Sequence, residues 1–459
     1  MEKYLKRPNS EPVVHQARYE QYNLQENPFP ASPFVNPESN DSRSNGDIYE
    51  PSIRREEYDV IQRNFLTAPQ NDPNHLRLGY LIDTSYIGRG NGKSAFLVNL
   101  QKRINQDFAI SVSNGLNKCF ALTLVPEPGG KTKTFESFVE LFANGLFRSN
   151  IIDDCLTTLR LEAILFLYKD FDIASHFTDE TDIREKLCSD KWYANNKIDF
   201  RQVSQHIASN EYLKSVPREF PIYSMGPLLL QVSTQKDFLE YYQSLKRGKP
   251  KFEFVFSHLV NLFLAAGFNG AYIFVDDFER IPDFQSERQK RDFALELRTC
   301  LFDGLYTNSR TGFYNFILVL HAGVPRLIQA AWDQSGLEQR SPIFFKGTSK
   351  NVIRFEKITL EGAFSLVQKY LQSYRINPND DPFAPFEKEA VVKMAELSEF
   401  NASKILKMSY EVLERARIQN ISNIGASFVM ESDDGNTVEQ RQTGGIHDAP
   451  TKNLMQDSE

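Results

Sequence analysis

Two kinds of apolar pattern alternate along this chain. Short, mostly apolar stretches of strand length occur in "LGYLIDT", "CFALTLVPEP", "AYIFVDDFERI", "FYNFILVLHAG" and "NVIRFEKITL". Between and after them come longer segments in which apolar residues recur every three or four positions. Examples are Ile53, Tyr58, Ile61 and Phe65 in "EPSIRREEYDVIQRNFL", and Phe96, Leu97, Leu100 and Ile104 in "SAFLVNLQKRINQDF". "TFESFVELFANGLF" has the same helical spacing, with Thr134 placed to cap it, and three more such segments close the folded part: "EGAFSLVQKYLQSY", "EKEAVVKMAELSEF" and "SKILKMSYEVLERARI". Buried strands alternating with amphipathic helices predict an α/β fold, a parallel sheet flanked by helices, with a helical C-terminal segment as a lid.

The polar stretches divide this pattern. Residues 1–45 are rich in Pro, Asn and Ser and predict an extended N-terminal arm or irregular loop. Residues 46–150 and 251–360 form the two parts of the sheet core. The chain between Lys93 and Asp276 is far longer than one strand, one helix and their connections need, so residues 151–250 are expected to be a mostly helical insertion, either a partner- or substrate-binding module or a structural elaboration. Residues 361–420 form the lid, and 421–459 hold too few apolar residues to fold, which predicts a disordered tail.

Composition narrows the class. Lys and Arg total 53 against 60 Asp and Glu, a net charge of −7, so the chain as a whole is no polycation that coats nucleic acid. Its four cysteines (119, 155, 188 and 300) form no C-x-x-C pair, which fits reduced thiols in a cytoplasmic protein. The polar N-terminus is not a secretory signal, and no apolar run is long enough to cross a bilayer. No H-E-x-x-H or G-x-S-x-G occurs, so zinc hydrolysis and serine hydrolysis find no support.

The candidate chemistry lies in "IGRGNGKS", which follows the first strand and opens a helix. Backbone N–H groups at a helix N-terminus bind phosphate, and glycines permit the concave backbone that brings them together. Gly88, Arg89, Gly90, Asn91, Gly92, Lys93, Ser94 and Ala95 are the candidate nucleotide contacts, with Lys93 on the β- and γ-phosphates and the Ser94 hydroxyl on Mg²⁺. The strict pattern wants glycine at position 87, where this chain has Ile87. "YIFVDDFER" supplies the matching acids: Asp276 for the metal shell and Asp277 to polarise the attacking water. A second G-K-T at Gly130–Thr132 lacks the spaced earlier glycine and reads as a loop, with Lys131 and Lys133 as candidate contacts to a DNA backbone.

At these motifs the chain resembles the AAA+ and STAND superfamilies of P-loop ATPases, in particular the branch of origin-recognition-type initiators. The resemblance runs from about Tyr49 to Ile418 and implies a P-loop NTPase fold that binds and hydrolyses ATP with Mg²⁺. It sets Arg54, Arg55 and Glu56 in the segment that lines the adenine site, with Arg55 as the candidate contact. His321, after "FILVLHAG", falls where sensor 1 belongs, either facing the γ-phosphate or simply hydrogen-bonded. Arg340 matches an arginine finger that completes a neighbour's site, which implies a homo-oligomer; the alternative is a surface arginine. In the lid, "FNASKILKM" has Ser403 where sensor 2 carries arginine, leaving Lys404 as the substitute.

The region around "DDFERIPDFQSERQKRDFALELRTCLFDGLY" is also similar to accessory ATP-binding proteins of BREX-type phage-defence systems. That implies work with other protein subunits in a DNA-associated defence or processing complex. Asp277 stands where AAA+ motors have glutamate, the sensor 2 arginine is missing, and the insertion is large. Three readings stay open: an ATPase, a slow or non-hydrolysing nucleotide-gated scaffold of STAND type, or a plain interaction module with a dead site.

Overall fold

The computed structural model describes residues 19–37, 39–66, 75–83, 90–223, 225–226, 229–230, 232–343 and 349–430. They fall into two compact units. One is drawn from the described residues of Arg54–Gly88 and Phe96–Glu356, the other from those of Met1–Ile53, Arg89–Ala95 and Lys357–Glu459.

The larger unit is built on a parallel sheet of five strands: β1 (Leu78–Asp83), β2 (Cys119–Leu124), β5 (Gly270–Val275), β6 (Tyr314–Leu320) and β7 (Val352–Phe355). A separate antiparallel pair, β3 (Met225–Gly226) and β4 (Leu229–Leu230), lies outside it. The sheet order is β2-β5-β6-β1-β7. Each strand-like run in the sequence has become one of these strands; β5 and β6, buried on both faces, need apolar residues at successive positions, whereas β7, at the edge, leaves Arg354 exposed. β5 and β6 are buried along their whole length.

Helices flank the sheet in the order the spacing predicts. α1 (Arg55–Ile61) runs into one wide π-type turn at Gln62–Leu66, and α2 (Lys93–Gln106) follows the glycine loop. α3 (Phe135–Arg148) starts where Thr134 predicts. The Thr134 hydroxyl accepts from the Ser137 N–H at 3.1 Å, and Ser137 Oγ accepts from the Thr134 N–H.

The segment 151–250 is mostly helical, apart from the β3–β4 pair: α4 (Ile151–Leu167), α5 (Ile173–His176), α6 (Glu180–Leu187), α7 (Asp190–Asn195), α8 (Phe200–Ala208), α9 (Gln235–Ser244) and α10 (Lys249–Glu253), before α11 (Leu259–Ala265) leads into β5. These helices do not enclose a core of their own. Leu156, Leu159, Val203, Phe238 and Phe254 join one continuous apolar core with Phe138, Phe142 and alternate residues of β6, namely Tyr314, Phe316, Leu318 and Leu320. α12 (Glu287–Leu301), α13 (Thr307–Thr311), α14 (Val324–Ser335) and α15 (Leu337–Arg340) complete this unit.

The smaller unit contains α16 (Leu360–Ser373), α17 (Lys388–Leu397) and α18 (Ala402–Ile418). Here two sequence expectations need correction. From Tyr19 onward the N-terminal segment is irregular but not a free arm: Tyr22, Leu24 and Phe29 are buried in the smaller unit's core, with the Phe29 ring 6.1 Å from Tyr370 and 6.0 Å from Phe386. The folded chain also continues beyond 420. Ile424 and Val429 are fully buried, and Ile424 exchanges backbone hydrogen bonds with Pro385 and Glu387. Three well-placed aromatic and aliphatic side chains in the first case, and two in the second, suffice to bind a polar segment to an existing core. The remainder of both segments lies outside the described residues.

The Phe316 ring, at the centre of β6, sits 5.5 Å from Phe142 and 6.0 Å from Phe138 and is fully buried. Phe316→Ala is expected to cost about 3–5 kcal/mol of folding stability, read as a lower denaturant midpoint; an unchanged midpoint would contradict this account of the core.

Candidate functional site

In a parallel sheet, chemistry gathers at the carboxyl ends of the strands. Three adjacent strands matter here, since β6 is paired with β5 on one edge and with β1 on the other. β1 ends at Asp83 and leads into the glycine loop, β5 leads into Asp276-Asp277, and β6 leads into His321. β1 is held from below as well as along its edges. Trp332 of α14 donates its indole N–H to Tyr80 Oη at 2.8 Å, and Tyr80 donates to the Ser341 carbonyl at 3.1 Å. Asn351 and Ser341 both donate to the Leu78 carbonyl, at 2.8 and 2.7 Å. Such a buried, satisfied network fixes the strand's position.

Beyond β5, Asp276 is buried and its Oδ1 accepts from the Asp277 N–H at 3.0 Å. Asp277 has φ of 49°, a left-handed turn, and its carboxylate pairs with Arg280. Arg280 also donates to the Pro126 carbonyl at 3.0 Å. Glu279, which no sequence motif singles out, is buried, and its Oε1 lies 2.8 Å from His321 Nε2. Donor atoms of Asp277, Glu279 and His321 all lie within 4.8 Å of one another. Burial, and then Glu279, push the nearby Asp283 carboxyl up, while Lys290 and His321 draw it down.

The glycine-loop residues Gly90–Ala95 belong to the smaller unit and are described there; Ile87, Gly88 and Arg89 lie outside the described residues. The Ser403 N–H donates to the Gly90 carbonyl at 2.9 Å, and Asn401 Nδ2 lies 3.4 Å from Asn91 Oδ1. Asn401 is also the cap of α18, accepting from the Lys404 N–H at 3.1 Å. The start of α18 is thus fastened to the loop through Asn401 and Ser403. Lys93 is buried at the first turn of α2, followed by the half-buried Ser94 and Ala95.

Other candidates are more dispersed. Lys404 is half exposed and lies 3.7 Å from Glu399. Arg55 is exposed, whereas Arg54 is buried: it pairs with Glu57 at 2.9 Å, donates to the Glu356 carbonyl and lies 4.5 Å from the Phe355 ring centre. Arg340 is exposed at the end of α15. Burial, and then the charge of Arg340, hold the Arg77 guanidinium below its ordinary value. Lys131 and Lys133 are exposed, and Lys131 pairs with Glu127 at 3.0 Å.

The chain matches no protein-family model and no curated protein. Among solved structures it is similar in arrangement to the Aeropyrum pernix ORC2 protein in its ADPNP-ADP complexes. The identity is 11% and the TM-score 0.41, over 86% of this chain and 69% of that one. The ADP form of the same protein gives 9% identity and a TM-score of 0.40, over 90% and 72% of the two chains. Cdc6p from Pyrobaculum aerophilum gives 10% and 0.36, over 82% and 68%.

Gly90 and Gly92 both have positive φ, 115° and 84°. A Cβ on Gly90 would also meet Asn401 Oδ1 and Ser403 Cβ, each at 2.7 Å, while one on Gly92 meets nothing within 4 Å. Both alanine variants incur backbone strain on the order of 1–3 kcal/mol. Gly90→Ala should lower the melting temperature further than Gly92→Ala, and equal shifts would contradict the fastening of the loop to α18.

Proposed function

We propose that this chain is a P-loop ATPase of AAA+ type. One observation carries the reading: β6 lies between β1 and β5 in a parallel sheet, so the Asp276-Asp277 pair and His321 follow adjacent strands, and in the sequence the glycine-rich segment follows the third, β1. A nucleoside triphosphate needs such an edge, with amides and a lysine for the phosphates and carboxylates for metal and water. Lys93 and the backbone of Gly90–Ser94 contact the phosphates in this reading. Ser94 and Asp276 are the residues that would hold magnesium, since a hydroxyl and a carboxylate are hard oxygen ligands. Bound Mg²⁺ would supply neutralisation of the phosphate charge.

The proposal extends to assembly. The chain forms a homo-oligomer in which Arg340 reaches a neighbour's site, and it serves as the nucleotide-driven subunit of a DNA-associated defence or processing complex. Support for assembly is the exposure of Arg340 at the end of α15; support for the complex is the sequence resemblance alone. A second reading, a nucleotide-gated scaffold that recruits a partner, is favoured by the ion pair between Asp277 and Arg280, which engages the carboxylate assigned to water activation.

Lys93→Ala should lower ATP affinity about 10- to 100-fold by calorimetry with the far-UV circular dichroism unchanged; unaltered affinity would contradict the phosphate assignment. Arg340→Ala should retain ATP binding and lose turnover, and turnover at the wild-type rate would return Arg340 to the surface.

A further inference from the structure

Asp277, Glu279 and His321 come together inside the larger unit, just beyond the ends of β5 and β6. One donor atom of each lies within 4.8 Å of the donors of the other two. Glu279 Oε1 stands 2.8 Å from His321 Nε2, yet the ring does not donate a hydrogen bond to it. At that separation the oxygen must lie off the line along which an Nε2–H would point. Two such groups, side by side and not bonded to each other, can face one common cation. Donors that share a zinc ion, each about 2.0–2.2 Å from it, lie about 3–4 Å apart. The Glu279–His321 approach is close to that spacing, and a rotation of the Asp277 carboxylate supplies the third contact.

The surroundings suit an ion. Glu279 keeps 8% of its side-chain surface, while His321 and Asp277 keep 25% each, so one ligand is buried and a water can reach a fourth position. Arg280 pairs with Asp277 and is anchored on the Pro126 carbonyl at 3.0 Å, an outer partner that holds a ligating carboxylate in place. Asp283 is in electrostatic reach of Glu279, His321 and Lys290, and the buried Lys290 pairs with Glu287 at 2.8 Å. Three carboxylates, of Asp277, Glu279 and Asp283, thus stand among two fixed cations, Arg280 and Lys290.

We propose that Asp277, Glu279 and His321 bind one divalent transition-metal ion of the zinc class. An imidazole nitrogen among the donors favours such an ion over magnesium or calcium, which take shells of oxygen. The site is distinct from Ser94 and Asp276 and uses no residue of the glycine loop. The ion cross-links the turn after β5 to the end of β6, and Asp277 serves it as a ligand.

The test titrates Zn²⁺ into the chelator-treated, nucleotide-free full chain by calorimetry, in excess Mg²⁺. One equivalent should bind, and the melting temperature should rise with it. His321→Gln and Asp277→Asn, both at half-buried positions, should each lower zinc affinity at least about 10- to 100-fold, the loss that follows from removing an outer-shell partner alone, with far-UV circular dichroism unchanged. Co²⁺ in place of zinc should give visible d–d absorption that changes in His321→Gln. Glu279→Asp keeps the charge on a shorter stem and should bind Co²⁺ with an altered spectrum, even if Glu279→Gln fails to fold. No zinc uptake by the wild-type chain, uptake undiminished in His321→Gln, or displacement by Mg²⁺ at equal affinity would overturn the proposal and leave Glu279 and His321 as an ion pair only.

Discussion

β1 is paired on both edges, by β6 and by β7, and its backbone is tied from below through Tyr80, Trp332, Ser341 and Asn351. Its position in the sheet is therefore fixed along both edges. The chain then crosses to the far edge at β2 and returns through β5 and β6, while β7 takes the other side. The acids after β5 and the imidazole after β6 inherit their places from the same pairing.

The charges at that edge are not equivalent. Asp276 is buried and turned toward its own chain, Asp277 is directed to Arg280, and Glu279 to His321. A short turn with one left-handed residue thus gives three carboxylates three different partners. Desolvation strengthens each of these pairings relative to water, which is why a buried glutamate beside an imidazole bears on chemistry and an exposed pair such as Lys131–Glu127 contributes little.

Much of this was legible in the residues. Five apolar runs became five strands, and the caps at Thr134 and the periodicity of α2, α3 and α16–α18 set helix limits. Strand burial and helix amphipathicity are local properties, so local sequence reports them. What a helical face covers is not local: α4, α8 and α9 have ordinary amphipathic patterns, yet their apolar sides extend the sheet's core. The same limit hid the packing of Leu24 and Phe29 on the lid and of Ile424 behind it. At the site, the acid pair and Lys93 stood out by motif. Glu279 did not, because its meaning comes from His321, far along the chain, and no spacing encodes that contact. Nor did Asn401, which reads as a helix cap and also meets Asn91.

The central claim is that the chain binds a nucleoside triphosphate at the loop after β1. Thermal unfolding of the full chain with and without MgATP tests it most directly. A ligand held by the folded state alone adds about 2.7 kcal/mol at one hundred times its Kd, so the account predicts a melting temperature that climbs with MgATP concentration and, above Kd, keeps rising with its logarithm. A melting temperature that stays constant up to millimolar MgATP would contradict it.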